Sequence, residues 1–247
     1  MKWGVMTLIV LTTLAMLLNP GCMTEPPADR WVSLFDGRTL NGWVQRGGQA
    51  KFYVADGMII GQTVPNTPNS FLCTTRDYDN FALELEFMVD EGLNSGVQVR
   101  SQSLPGYLNG RVHGYQVEID PSNKPYTGEP KNFLVDGSPA PLTEPRSWTG
   151  GIFDEARRGW LYPLNRNEPA RRAFRRGQWN RLHIEVIGDT IRTWINNTPA
   201  ADLQDGMTAS GFIALQVHSS DTPGLKVRFR NIRIREISPF LHTLTER

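Results

Sequence analysis

From Trp31 to Ile237 apolar and polar residues alternate with a period of two, in short runs bounded by Gly, Asn, Asp and Pro. That pattern predicts β-strands joined by turns. Phe81, Leu83, Leu85, Phe87 and Val89 share one face of a strand, and Glu84 and Glu86 take the other. Leu182, Ile184 and Val186 alternate with His183 and Glu185, and Ile191, Thr193 and Ile195 with Arg192, Trp194 and Asn196. A last long strand starts at Val227 and Phe229 and changes phase around Asn231 to Ile232 and Ile234, which predicts a bulge. No stretch supports a long amphipathic helix and no internal repeat is found. Many short strands with turns throughout predict a β-sandwich.

Two segments depart from the alternation. Pro121 to Gly177 is dense in turn residues, with Trp148, Phe153, Trp160 and Tyr162 among them, and reads as a long ordered insertion over one face. Residues 1–22 read as an export signal: Lys2, then an uncharged, mostly apolar run from Trp3 to Leu18, then Asn19-Pro20-Gly21-Cys22. The run is too short to span a bilayer comfortably. A small residue before a cysteine resembles a bacterial lipoprotein cleavage site, with Cys22 carrying the lipid. Asn19 stands where such signals usually have Leu, so plain secretion is the alternative. Residues 23–30 form a polar tether, 31–237 the folded domain and 238–247 a tail. The expected location is the periplasm or the outer membrane as a lipoprotein, and otherwise the medium, with membrane contact only through the anchor. Cys73 then stands alone as a buried small hydrophobe, or is bridged to Cys22.

Composition narrows the class. The chain has 247 residues, 39% hydrophobic, which excludes a disordered chain. Its formal charge of +1 supplies no global field to draw it onto nucleic acid or acidic lipid. The 23 Gly and 17 Pro are scattered, so neither a collagen-like nor a low-complexity reading holds. Nothing points to an oligomer, and a monomer is expected.

Three strands carry polar residues in one phase and apolar residues in the other. Gln98 and Arg100 oppose Val97 and Val99. Gln116, Glu118 and Asp120 oppose Tyr115, Val117 and Ile119. Gln216 and His218 oppose Leu215 and Val217. Side chains two apart on one strand are about 7 Å from each other, so neighbouring strands would gather these groups into one patch. An ordinary solvent face is the plain alternative. However, such faces are rich in Lys, Glu and Thr, whereas this set holds no Lys and suits hydrogen bonding to a polyhydroxylated ligand with titration near neutral pH. His113 precedes the second strand and is as readily a loop histidine as a site residue. His113, Glu118, Asp120 and His218 could hold a divalent cation, but they lack local ligand spacing, and the cofactor stays open. Arg171, Arg172, Arg175 and Arg176 read as a solvated loop. No nucleophile elbow, phosphate loop or dinucleotide fingerprint is present.

The segment Ser33 to Trp43 (SLFDGRTLNGW) resembles the opening motif of the 3-keto-disaccharide hydrolase family. Further matches follow in order: Asp56-Gly57 with Ile59-Ile60-Gly61, Phe81 to Phe87, Asn94-Ser95-Gly96-Val97 leading to Arg100, Gly114 to Asp120, Gly177 to Asn180, Gly211 to His218, and Phe229 to Ile232. The resemblance spans residues 31 to 237. It implies a concanavalin A-like jelly roll of two curved antiparallel sheets, with a sugar-sized cleft on the concave face. It also implies action on glycosides whose 3-hydroxyl has been oxidised to a ketone, by hydrolysis or by 1,2-elimination followed by hydration. Many relatives read Glu-x-Gln where this chain has Gln116-Val117-Glu118, so the carboxylate is displaced by two residues on the same face. Asp154, Glu155, Arg157, Arg158 and Trp160, with Trp148, fall in a segment that looks characteristic of a subgroup and are expected to contact substrate together with Gln98, Gln116 and Gln216.

The implied chemistry needs a base near C2, an electrophile near the C3 oxygen and an acid near the leaving oxygen. Glu118 is the expected base, beside Arg100 on the concave face, with His218 or His113 as acid or alternate base and Asp120 in reserve. Arg100, a permanent cation with a planar fork of donors, suits the developing enolate oxygen, and a divalent cation could assist or replace it. Two other readings stand: a non-catalytic carbohydrate-binding module using Trp148, Trp160 or Trp194 as stacking platforms, and a structural module of the cell envelope.

Overall fold

The computed structural model describes residues 30–124 and 147–238. The export signal, Cys22, all but the last residue of the tether and the tail beyond 238 lie outside the described residues. The strands are β1 (Val32–Ser33), β2 (Trp43–Gly47), β3 (Lys51–Ala55), β4 (Met58–Gln62), β5 (Ser70–Thr74), β6 (Phe81–Val89), β7 (Ser95–Gln102) and β8 (His113–Ile119). After the gap come β9 (Ile152–Glu155), β10 (Gly159–Tyr162), the short helix α1 (Glu168–Ala173), β11 (Asn180–Ile187), β12 (Thr190–Ile195), β13 (Thr198–Gln204), β14 (Phe212–Val217) and β15 (Lys226–Glu236). They form two antiparallel sheets. The first runs β13-β12-β11-β6-β15-β4-β3 with β1 on β15, and the second β10-β9-β8-β7-β14-β5-β2.

The core follows from the alternation. Phe81, Leu83, Leu85, Phe87, Leu182, Ile184 and Val186 on the first sheet are buried in one cluster with Val97, Val99, Tyr115, Val117, Leu215 and Val217 on the second. The bulge expected in the last strand is there. Register shifts between Arg230 and Arg233, and Asn231 takes a φ of 53°, a left-handed conformation that Asn tolerates. The extra residue keeps Val227, Phe229, Ile232 and Ile234 all buried. Arg228, Arg230 and Arg233 consequently all point outward, to Asp90, Glu86 and Glu84.

The segment read as an insertion over one face is in part sheet. β9 and β10 pair as a hairpin and extend the second sheet beyond β8. Trp148 and Trp160 pack edge to face, ring centroids 4.8 Å apart, and both are buried in the main core. Neither is an exposed stacking platform. Their spacing in a Gly- and Arg-rich segment hid the short strands.

Candidate functional site

The outer face of the second sheet, turned away from the core, carries the expected polar set. Cross-strand register aligns two rows. One runs Val44, Cys73, Ala214, Gln98, Gln116, Phe153 and Trp160. In the other, Arg46 pairs with Phe71, Phe71 with Gln216, and Gly96 with Glu118. The β7–β14 ladder, continued by one residue, sets Gln216 opposite Gly96. Gln98, Gln116, Glu118 and Gln216 are all buried, so this is not an ordinary solvent face.

Glu118 is held by two amide donors. Asn94 Nδ2 lies 2.6 Å from its Oε1 and Gln116 Nε2 lies 2.7 Å from its Oε2. Behind Gln116 the bonds continue: Gln98 Nε2 donates to Gln116 Oε1 at 2.6 Å, and the Ser101 hydroxyl to Gln98 Oε1 at 2.6 Å. Burial and, after it, the charge of Asp120 push the Glu118 carboxyl up to about 7. The two amide donors pull the other way, and Glu155 adds a further upward push. A carboxyl poised there can exchange a proton at neutral pH. Gln216 is wholly buried, and neither its amide nitrogen nor its oxygen has a hydrogen-bond partner. Such a group in a folded protein marks a place where a ligand or solvent completes the bonding. His218 follows β14 in phase with Gln216, half-buried, its Nδ1 2.8 Å from the Ser219 carbonyl oxygen.

Asp120 lies buried just past the end of β8, where its Oδ1 accepts from the Ser122 N–H at 3.1 Å. Glu155, in register with Gly114, shares the Glu118 face and accepts from Arg111 at 3.2 Å and from Asn69 at 3.4 Å. Asn69 in turn accepts from the Ser219 N–H, next to His218.

Four expectations fail on geometry. Arg100 is not beside Glu118. It sits in a bulge of β7 at a φ of 46°, and its guanidinium donates to the carbonyl oxygens of Asp79 and Gly188, each at 2.6 Å, and to Asn80 Oδ1 at 3.1 Å. It ties the second sheet to turns of the first. His113 lies within β8 rather than before it, in the opposite phase to Gln116 and Glu118, with its ring 4.1 Å from that of Tyr107. Asp154, Arg157 and Arg158 are likewise turned from the Glu118 face. Asp154 is paired with Tyr115 in register and binds Arg157 at 2.6 Å and Arg158 at 2.5 Å. Arg158 continues to Asp205, which also accepts from the Tyr115 hydroxyl. Burial opposes the charge on Asp205, but these donors prevail and lower its pKa. The cluster is an ion-pair lock. Trp148 is buried in the core, and Trp160, although it ends the Gln116 row beside Phe153, is itself buried against Trp148, so neither is open to stack on a ligand.

Among the described residues no three His, Cys, Asp or Glu side chains converge to hold a metal ion, so the suggested set of His113, Glu118, Asp120 and His218 is not assembled there. Cys73 is a buried free thiol on the Glu118 face, pushed up to about 12 by burial. Reading the alternation missed Asn94, Gly96 and Ser101. Ser101 falls in the core phase until the bulge shifts it, whereas Asn94 and Gly96 lay in a quoted motif whose roles needed the pairing of β7 with β8.

A family model described as a 3-keto-alpha-glucoside-1,2-lyase-like domain matches residues 30–235. The chain belongs to this family. A 3-keto-disaccharide hydrolase of Bacteroides thetaiotaomicron is 25% identical over 246 aligned positions, covering 84% of this chain and 79% of that protein. Among solved structures, a candidate glycosyl hydrolase of Parabacteroides distasonis superposes with a TM-score of 0.60 at 19% identity, covering 84% of this chain and 94% of the other. The carbohydrate-binding module CBM66 of Bacillus subtilis superposes with a TM-score of 0.50 at 13% identity, covering 79% and 96%. These likenesses and the two antiparallel sheets establish the jelly-roll sandwich. Membership of the 3-keto-alpha-glucoside-1,2-lyase-like family places the chain among carbohydrate-active, hydrolase-type proteins.

Proposed function

We propose that this protein cleaves glycosides bearing a ketone at C3, with Glu118 as the base that removes the C2 hydrogen. The observation that carries this reading is the buried Glu118 carboxyl, held by two amide donors and poised at about 7. The ketone acidifies the C2 hydrogen. As Glu118 takes that proton, the C–H electrons form the enediolate. Its collapse restores the C3 ketone, forms the C1–C2 double bond and expels the C1 substituent, whose oxygen needs a proton. Water added across the double bond then completes a net hydrolysis. With Arg100 turned away, the amide of Gln216 is the group assigned to the C3 oxygen and sugar hydroxyls, since it is buried and unpartnered on the same face. His218 is assigned to the leaving oxygen. The protein acts as a monomer outside the cytoplasm, exported by residues 1–22 and anchored through Cys22.

The decisive experiment is turnover of 3-keto-trehalose and 3-keto-glucosides by wild type and Glu118→Gln. Loss of a positioned base lowers turnover at least about a hundredfold while binding is kept. Near wild-type turnover in the variant would remove Glu118 from the role. The likeness to CBM66 favours a second reading, a sugar-binding module. Binding without turnover in both proteins would establish it.

A further inference from the structure

Glu118 is the end of a chain whose other end is remote from it. The Ser101 hydroxyl donates to Gln98 Oε1 at 2.6 Å, Gln98 Nε2 to Gln116 Oε1 at 2.6 Å, and Gln116 Nε2 to Glu118 Oε2 at 2.7 Å. We infer that Ser101 is a positioning residue, its hydroxyl anchoring the far end of a two-glutamine relay whose direction the acceptor-only carboxylate of Glu118 fixes and which presents an N–H donor to it. The inference rests on the Proposed function only for its catalytic meaning.

Direction matters because a carboxamide is asymmetric. With the observed polarity every bond has a donor and an acceptor, and the chain ends with N–H facing the carboxylate. Reversed, it would aim the Gln116 carbonyl oxygen at a negative charge. Bonds running toward a charge strengthen one another in a medium of low dielectric, so the donor at the far end favours the ionised form of Glu118. Ser101 is suited to that end. It is wholly buried, and the register shift between Val99 and Gln102 brings its Oγ to the Gln98 amide.

The other groups around Glu118 are fixed independently of the relay. Asp120 lies beyond the end of its own strand, Asn94 on the approach to β7, Glu155 on β9 under Arg111, and Gln216 with His218 on the β14 side. Ser101 Oγ also lies 3.2 Å from the Tyr115 carbonyl oxygen, so a change there reaches Glu118 through Gln98 and Gln116 or through the β8 backbone, and Gln98→Met isolates the first route.

The test is a titration of the Glu118 side-chain carboxyl by ¹³C NMR on the substrate-free full-length protein, its signal assigned by its loss in Glu118→Gln. Ser101→Ala should raise the apparent pKa by about half a unit, and Gln98→Met, which keeps the volume and the Ser101 bulge but removes the amide, by about one unit. If Ser101→Ala fails to fold, Ser101→Cys, which keeps the shape but donates only weakly, takes its place beside Gln98→Met and should shift the titration in the same direction. A role in packing only would lower thermal stability and leave the titration in place. Values within about 0.2 units of wild type in each folded variant would overturn the relay. The titration needs no substrate. A shift without turnover of keto-sugars would keep the relay and reject the proposed reaction, and turnover without a shift would do the reverse.

Discussion

Gln116 lies flat across Gly96: a Cβ built on the glycine would stand 2.5 Å from Gln116 Cδ and 2.8 Å from its Nε2. The missing side chain at one position is what lets the amide of the other reach Glu118. The clash is with a side chain rather than with backbone, so the structure can yield, but only by moving Gln116 away from the carboxyl it serves.

Gly96→Ala is accordingly expected to fold with a modest loss of stability, about 1–2 kcal/mol, and a much larger loss of keto-glycoside turnover. Parallel urea melts and kinetics check it. Turnover unchanged in a folded variant would show that Gln116 need not touch Glu118.

Glu118 gives stability a pH dependence of defined sign. Its carboxyl is raised from 4.5 to about 7 in the folded chain, chiefly by burial. Well below pH 4.5 it is protonated folded or unfolded and has no effect. As pH rises toward 7, the unfolded chain releases this proton first, so stability falls, by on the order of 3 kcal/mol once both states are ionised. Glu118→Gln should therefore be more stable than wild type at pH 8 and nearly equal to it near pH 4.5. Urea midpoints at the two values decide it, and an equal difference at both would assign the effect elsewhere.

Arg100→Met removes three donors from Asp79, Asn80 and Gly188 and is expected to cost about 3 kcal/mol. The measurement is a chemical melt. Wild-type stability combined with a raised KM for keto-glycosides would return Arg100 to the substrate.

The period-two pattern made the sandwich, its core faces and the β15 bulge legible, because a half-buried antiparallel strand writes its burial directly into alternation. It also put Gln98, Gln116, Glu118 and Gln216 together, since residues in one phase keep one face. Arg100 defeated it. The bulge after Val99 reverses the phase at that point, so Arg100 leaves the polar face and Ser101 joins it. Asp154, Arg157 and Arg158 were misread for another reason. Charged residues in a cluster of turns look available for ligand until the distant Asp205 that neutralises them is brought alongside.

Strand β8 divides its labour residue by residue. Gln116 and Glu118 face the candidate site, while Tyr115 before them and Val117 between them are held by the Asp205 lock and the core. Chemistry and scaffold are thus nearly orthogonal along one stretch of chain. Diversification that spares Glu118 and its amide donors and is confined to positions such as 216 can vary the sugar contacts while leaving the reacting carboxyl in place, which makes this face a natural starting surface for directed evolution.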